Sequence, residues 1–299
     1  MKPSAYGPFK YSLIDRRARL VWPSNARLAL WVILNVEFYP LNAPMPDDSG
    51  GRPTGKNPNP QVRQWSQRDY GNRVGFVRLR DMLTRYGIPG TIALNSEVCD
   101  HHPEIVADCA KLGWEMMGHC RDNTVRLTDL PAEEERPTIS HVMKRIEAAT
   151  GKRPVGWLGA GLDETWNTLD HLIAEGCTYV ADWVNDDQPY TMDVGGKHIV
   201  SVPYTYELND IPALVRNKYT PPEFERMIKD QFDVLYNEGE RSGRVMAIAL
   251  HPFLFGQPHR IPPLERAFEY ISRFSGVWKT TGAEIAAHYL KTVNSGPGS

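Results

Sequence analysis

The chain has 299 residues, 34 Lys or Arg against 36 Asp or Glu, and a formal net charge of −2. That balance excludes a strong field drawing in nucleic acid or an anionic membrane. Hydrophobic residues make up 41%, enough to bury a sizeable core in one large domain, and no run approaches the roughly 18 apolar residues of a membrane span.

Residues 1–26 are irregular and rich in Arg, Pro and aromatics, which predicts an arm laid on a surface, its own or a neighbouring subunit's. Met1 to Tyr6 shows no apolar signal core. Leu28 to Leu34 is continuously apolar, as in a strand buried on both faces. Residues 40–66, dense in Pro, Gly, Asn and Asp, read as a long loop. Helical spacing over Asn72 to Tyr86 stops at Gly87, and Thr91 to Leu94 is a short apolar strand. Strand and helix signals then alternate. Strands are expected at Trp114–His119, Pro154–Trp157, Tyr179–Asp182, Ile199–Pro203, Arg244–His251 and from Val277. Helices are expected at Pro103–Leu112, Pro131–Ala149, Thr165–Glu175, Pro221–Glu238, Pro262–Phe274 and Gly282–Tyr289. About seven strand–helix units in one domain over 27–290 predict a parallel α/β barrel, with 291–299 as a disordered tail. Cys99, Cys109, Cys120 and Cys177 form no C-x-x-C pair or disulfide framework. Free buried thiols and a cytoplasmic location follow.

Strand after strand stops at a polar or chemically able residue: Glu37, Asn95, His119, Trp157, Asp182, His251. Barrel active sites gather at the C-terminal ends of strands, so residues far apart in sequence can meet there. His251, leaving a buried strand ahead of Pro252, suits an acid or base at neutral pH; a satisfied structural imidazole is the alternative. His119 after Gly118 reads the same way. Glu37 follows Asn35, and a carboxylate there is costly unless it is paired or used. Asp182 to Tyr190, with Asp187 and Gln188, reads as a site wall or a bland polar loop; Tyr204 to Asp210, with Asn209, reads likewise. Asp69 reads as a site residue or a helix cap. No G-x-S-x-G, Walker loop or dinucleotide fingerprint is present.

These strand ends, in order, resemble the NodB-type polysaccharide deacetylases, and most closely their branch of cofactor-independent allantoinases and cyclic-imide hydrolases. The likeness rests on Leu34-Asn35-Val36-Glu37, Arg68 to Gly75, Gly118-His119, Pro154 to Trp157, Asp186 to Tyr190, Pro203-Tyr204, Asn209-Asp210 and His251-Pro252, and spans Arg27 to Tyr289. It implies a distorted (β/α)7 barrel. In the family's zinc enzymes two aspartates follow the first strand, one a base and one a ligand; here Glu37 takes the first position and Phe38 the second. In their H-[ST]-x-x-H motif His119 remains, but Asn123 replaces the second histidine. The arginine of their third motif has no counterpart in Trp157-Leu158-Gly159-Ala160-Gly161. A catalytic zinc needs about three N, O or S ligands, so no metal is expected; a zinc rebuilt on His119 and Glu37 is the alternative.

The implied activity is opening of a small cyclic amide, imide or ureide. Glu37, His119 and His251 would do the chemistry, with either Glu37 or His251 as base. Asn35, Asn123, Trp157, Trp183, Asp187, Gln188, Tyr190, Tyr204 and Asn209 would bind substrate, the aromatics stacking on a flat ring. A zinc-dependent deacetylase or amidase and a non-catalytic binding barrel are the alternatives. The arm and the branch resemblance imply a homodimer or homotetramer, with no nucleic-acid or membrane partner.

Overall fold

The structure, a computed structural model, describes residues 1–46 and 60–294. Among the described residues nine strands form one sheet: β1 Leu28–Val36, β2 Gly90–Leu94, β3 Glu115–Gly118, β4 Gly156–Trp157, β5 Tyr179–Val180, β6 Tyr190–Val194, β7 Lys197–Ser201, β8 Arg244–Leu250 and β9 Val277–Thr280. Their order is β6-β7-β5-β4-β3-β2-β1-β8, with β9 beside the first half of β1. Eight of them pair in parallel: the seven of the barrel wall, β1 to β5 with β7 and β8, and the short β9 on β1. Together with the helices around them they make the distorted (β/α)7 barrel.

β7 and β8 do not pair with each other. The gap is spanned by chain segments that follow β5 and β7: Val245 N–H donates to the Asp187 carbonyl at 2.8 Å and Ala249 N–H to that of Leu208 at 2.9 Å. Asn209 forms a parallel bridge to Ala249. The exposed strand edge is thereby covered.

β1 explains its own burial. Leu28, Leu30, Val32, Leu34 and Val36 face the helices, while Ala29, Trp31 and Ile33 face the barrel interior. A strand clamped between two apolar layers has no polar face, hence the unbroken run. The floor of the barrel holds a carboxylate, Glu115. It accepts from Tyr179 Oη at 2.7 Å, Thr91 Oγ1 at 2.9 Å and the Ala283 N–H at 3.1 Å, the last at the start of helix Gly282–Asn294. A carboxylate at a helix N-terminus answers its orphan N–H groups.

Some boundaries differ from expectation. The helix leading to β2 begins at Val62, inside the segment read as loop, and runs Val62–Tyr70, a π-helical turn Gly71–Gly75, then Phe76–Arg85. Its first part buries only Arg68, so it lacks the apolar stripe that announces a helix. Asp69 sits within this helix and caps nothing. Residues 47–59 of the expected loop and 295–299 of the expected tail lie outside the described residues. The last helix carries on past 290 to Asn294. β6, Tyr190–Val194, is an antiparallel strand that no expected element covered. The arm lies on this chain's own barrel: Asp193 N–H donates to the Pro8 carbonyl at 2.7 Å, Arg17 grips Asp186 at 2.8 and 2.6 Å, and Trp22 Nε1 reaches the Arg244 carbonyl at 3.0 Å. Among the described residues no helix is long and apolar enough to cross a membrane. All four cysteines are free and buried.

The π-helical turn packs backbone to backbone on helix Pro252–Phe255, which follows His251. A methyl at Gly75 would lie 2.1 Å from the Pro252 carbonyl oxygen, and one at Gly71 would lie 2.5 Å from the Phe253 nitrogen. These two glycines set how closely the segment carrying His251 can seat. Overpacking of this kind costs about 1–3 kcal/mol. Gly75→Ala is therefore expected to lower the unfolding free energy by roughly that amount in a denaturant titration; a midpoint equal to the parent's would show that the contact is slack.

Candidate active site

Period-two alternation carries the interior face of each strand up to the barrel mouth, where it turns polar. On β1 the inward series Ala29, Trp31, Ile33 continues as Asn35 and then Glu37. On β2 Ala93 is followed by Asn95, on β3 Met117 by His119, and on β8 Ala247 and Ala249 by His251. Glu37, His119 and His251 are all buried, at 7%, 3% and 4% exposure.

The three groups converge. Glu37 Oε1 lies 3.5 Å from His119 Nε2 and 3.5 Å from His251 Nε2. Glu37 Oε2 accepts from the Tyr39 hydroxyl at 2.6 Å, and that hydroxyl accepts from Asn123 Nδ2 at 3.0 Å. His251 Nδ1 donates to Asp210 Oδ1 at 2.6 Å, and the His251 backbone N–H to Asp210 Oδ2 at 2.8 Å. His119 Nδ1 contacts the Leu158 carbonyl oxygen at 2.7 Å, which makes that nitrogen the donor. Two amides pin the backbone: Asn72 Nδ2 donates to the Glu37 carbonyl at 2.9 Å, and Asn95 joins the Phe38 N–H at 2.9 Å to the His119 carbonyl.

Charge follows from this packing. Burial would push the Glu37 carboxyl up, but the adjacent His251 cation and the contacts with both imidazoles outweigh it and hold Glu37 well below the usual carboxylate range. Burial would push His251 down, but Asp210 and Glu37 flank it and raise it to about 10. Burial and the adjacent Glu37 push the Tyr39 phenol well above its ordinary value, so it remains a neutral donor. At neutral pH the centre therefore sets the Glu37 carboxylate against the His251 imidazolium, with Asp210 behind the cation and the His119 ring beside them.

The expected binding residues divide. Asn35, Asn123, Tyr204 and Asn209 adjoin the centre: the Tyr204 hydroxyl bonds Asn35 and accepts from Asn209 Nδ2 at 3.3 Å. The others do not reach it. Trp157 has no exposure and packs on the outer, helix-facing side of the sheet, because the inward position on that strand falls to Leu158. Asp187 and Gln188 lie at the start of β8, where Gln188 Nε2 donates to Ser242 Oγ at 2.9 Å and the Gly243 carbonyl at 2.8 Å. Six residues of strand, about 20 Å, separate that point from His251. Trp183 and Tyr190 engage Phe9 of the arm, with centroids at 5.6 and 4.8 Å, and neither lines the cleft over Glu37. Sequence reasoning gave Tyr39 and Asn72 no individual role; it named Asn95 as a polar strand end and Asp210 within a possible site wall without assigning either its partner. Asp210 beside Asn209 carried a signal, since a histidine at a strand end calls for a carboxylate partner; Tyr39 carried none.

The cleft over Glu37 is bounded by Tyr39, Trp65, Arg68, Asn72 and His102 and has about 10 Å³ of room, enough for roughly one water. Across the Phe38 ring opens a groove of about 700 Å³ along Pro40, Leu41, Glu97, His101 and Arg121. The donors do not fit the zinc centre of the resembling family. Phe38 stacks on His101 at 4.2 Å and 7°, and Asn123 is engaged with Tyr39. Among the described residues no group of three or more His, Cys, Asp or Glu is spaced to hold a metal ion.

Fold and site together define an α/β barrel with an acid–imidazole centre at its mouth. Residues 65–180 match the polysaccharide deacetylase family model. A polysaccharide deacetylase-type protein of Schizosaccharomyces pombe is 26% identical over 291 residues, covering 89% of this chain and 91% of that one. The crystal structure of Puue allantoinase superposes with a TM-score of 0.83 at 27% identity, over 95% of this chain and 98% of that one. A polysaccharide deacetylase-type protein from Pseudomonas aeruginosa PAO1 also gives 0.83, at 26% identity over the same shares. The matched domain and these structural neighbours support the polysaccharide deacetylase (NodB-like) superfamily.

The carboxylate behind His251 sets its charge. In Asp210→Asn the imidazolium loses its strongest anionic partner, so the His251 pKa falls from about 10. Ring NMR titration of the two proteins measures this, and an unmoved His251 would refute the assigned pairing.

Proposed function

We propose that this protein is a hydrolase of non-peptide C–N bonds that opens a small cyclic amide, imide or ureide without a metal ion. The observation that carries the reading is the convergence of Glu37 Oε1 with two imidazole Nε2 atoms, each 3.5 Å away, beside a cleft of one-water size. The superposition on an allantoinase supports the ring class. So do the Phe38 and Asn123 substitutions, because imides and ureides carry better leaving groups than simple amides and ask less electrophilic assistance.

The chain's own groups divide the work as follows. A water at Glu37 attacks the ring carbonyl carbon. Glu37 alone is a weak base while the His251 cation holds it ionised, so the proton passes to His119 Nε2. That atom carries a lone pair because Nδ1–H is spent on the Leu158 carbonyl. Glu37 then stabilises the His119 imidazolium. The second N–H of Asn123 Nδ2, and the Tyr39 hydroxyl once it turns from Glu37, are the side-chain donors for the oxyanion. His251 gives its Nε2 proton to the departing ring nitrogen as the C–N bond breaks, and Asp210 keeps the Nδ1 proton. One water is consumed, and the product is an open-chain carboxylate bearing an amide or urea.

The test is turnover of hydantoin, succinimide, glutarimide, dihydrouracil and allantoin by chelated enzyme, with an N-acetylglucosamine oligomer alongside. Turnover of a ring, unchanged by EDTA and lowered at least ~100-fold in Glu37→Gln, is expected. Deacetylation of the sugar with no ring opened, or activity lost to EDTA and restored by zinc, refutes the proposal. The pH profile supplies a further check. The acid must carry its proton, and its pKa is raised, so kcat/KM is lost only as pH rises toward about 10. Asp210→Asn moves that falling limb to lower pH.

A further inference from the structure

Why His119 presents a lone pair rather than a proton is answered one peptide away. The Leu158–Gly159 peptide lies between two polar side chains. Its carbonyl oxygen meets His119 Nδ1 at 2.7 Å, and its N–H donates to Asp182 Oδ1 at 2.7 Å. Asp182 Oδ1 is an acceptor, so it requires the N–H; the far end of the same rigid group must then offer its carbonyl to His119. The peptide has only two orientations that use both ends, and a half-turn would aim an N–H at the ring and force the opposite tautomer. Flanking bonds fix the frame: Leu158 N–H donates to the Gly118 carbonyl and Leu162 N–H to that of Gly159, both at 2.9 Å.

Asp182 is itself buried, and its second oxygen meets no donor other than the neighbouring carboxyl of Glu164. Glu164 is anchored by Trp183 Nε1 at 3.1 Å. Burial and mutual repulsion raise both acids, Glu164 to about 7, so the pair shares a proton and keeps one acceptor for Gly159. The core arrangement of acceptor, peptide and imidazole is a histidine orientation device built with a backbone group in the middle.

We infer that Asp182 is a positioning residue for His119, acting through the Leu158–Gly159 peptide to keep Nε2 unprotonated; its kinetic consequence rests on the proposed role of His119 as base. The experiment labels the full-length protein with 15N-histidine and identifies the His119 ring by its loss in His119→Gln. At a pH where that ring is neutral, the wild type is expected to show a protonated Nδ1 and a bare Nε2. Asp182→Asn still offers an oxygen to Gly159 while its amide faces Glu164, so it keeps this pattern and keeps kcat within about threefold. Asp182→Leu removes the acceptor: the Nε2–H tautomer appears, and kcat on the ring substrate opened fastest falls tenfold or more with KM little changed. A wrong tautomer can cost as much as ~10⁴. An Nε2–H ring in the wild type overturns the inference, as does an unchanged ring and kcat in folded Asp182→Leu. Should that variant not fold, the wild-type ring decides alone. The ring measurement requires no turnover, so a protein with the expected tautomer that opens no ring sinks the proposed reaction and leaves Asp182 in place.

Discussion

A carboxylate buried between two imidazoles is the constraint around which the mouth of this barrel is arranged. Removing Glu37 from water is costly, and so is removing His251; each is tolerable only because the other is there. Asp210 extends the row, so charge alternates negative, positive, negative over Asp210, His251 and Glu37, with separations of 2.6 and 3.5 Å. Neighbouring features read as means of holding that row in place. Asn72 fixes the Glu37 backbone, Asn95 ties β1 to β3, and the glycine pair at 71 and 75 lets the segment after His251 approach.

The barrel buries another carboxylate, and the comparison shows how surroundings sort structure from chemistry. Glu115 on the floor is met by a phenol, a threonine hydroxyl and a backbone N–H, all neutral; burial wins and its pKa rises. Glu37 at the mouth is met by an imidazolium, and its pKa falls. One environment satisfies an acid in place beneath a helix end; the other stores an ionised acid against a cation with a water-sized cleft alongside. An ionised carboxylate held against a raised imidazolium, as Glu37 is against His251, is the usual mark of an acid–base site.

Much of this was legible in the sequence because parallel barrels write one face of each strand in period two and end it at the mouth. Ala29, Trp31 and Ile33 lead to Asn35 and Glu37; Ala247 and Ala249 lead to His251. The same rule misled at Trp157, which ends a strand but points outward, since Leu158 takes the inward position. Height in the barrel was also hidden. Residues 187–190 follow β5 and were expected at the mouth, yet the shear of the tilted sheet and the turn into an antiparallel β6 carry them to the base of β8. The signal for that hairpin was present in Gly195-Gly196, at φ +63° and +84°, between two short alternating runs. Tyr39 and Asn72 had no sequence signal of their own, because their roles come from side-chain hydrogen bonds to partners whose positions only the fold supplies.

The proposed reaction makes sense of what stands at the positions where zinc enzymes of the superfamily keep their ligands. Phe38 turns its ring onto His101 and leaves the space to its neighbour, so Tyr39, one residue on, puts a phenol against Glu37. Asn123 supports that phenol instead of gripping an ion. The row of three charged groups sums to one negative charge, which favours removing a proton from water but gives little help to a second anion forming on the substrate. Neutral donors, Tyr39 and Asn123, can offset only part of that. The remainder must come from the substrate, as a nitrogen whose departing electrons are already spread over an adjacent carbonyl. A ring imide or ureide has that nitrogen and an N-acetyl sugar does not, so in the proposed reaction the electrostatics that would permit work without a metal would also narrow what the site could cleave.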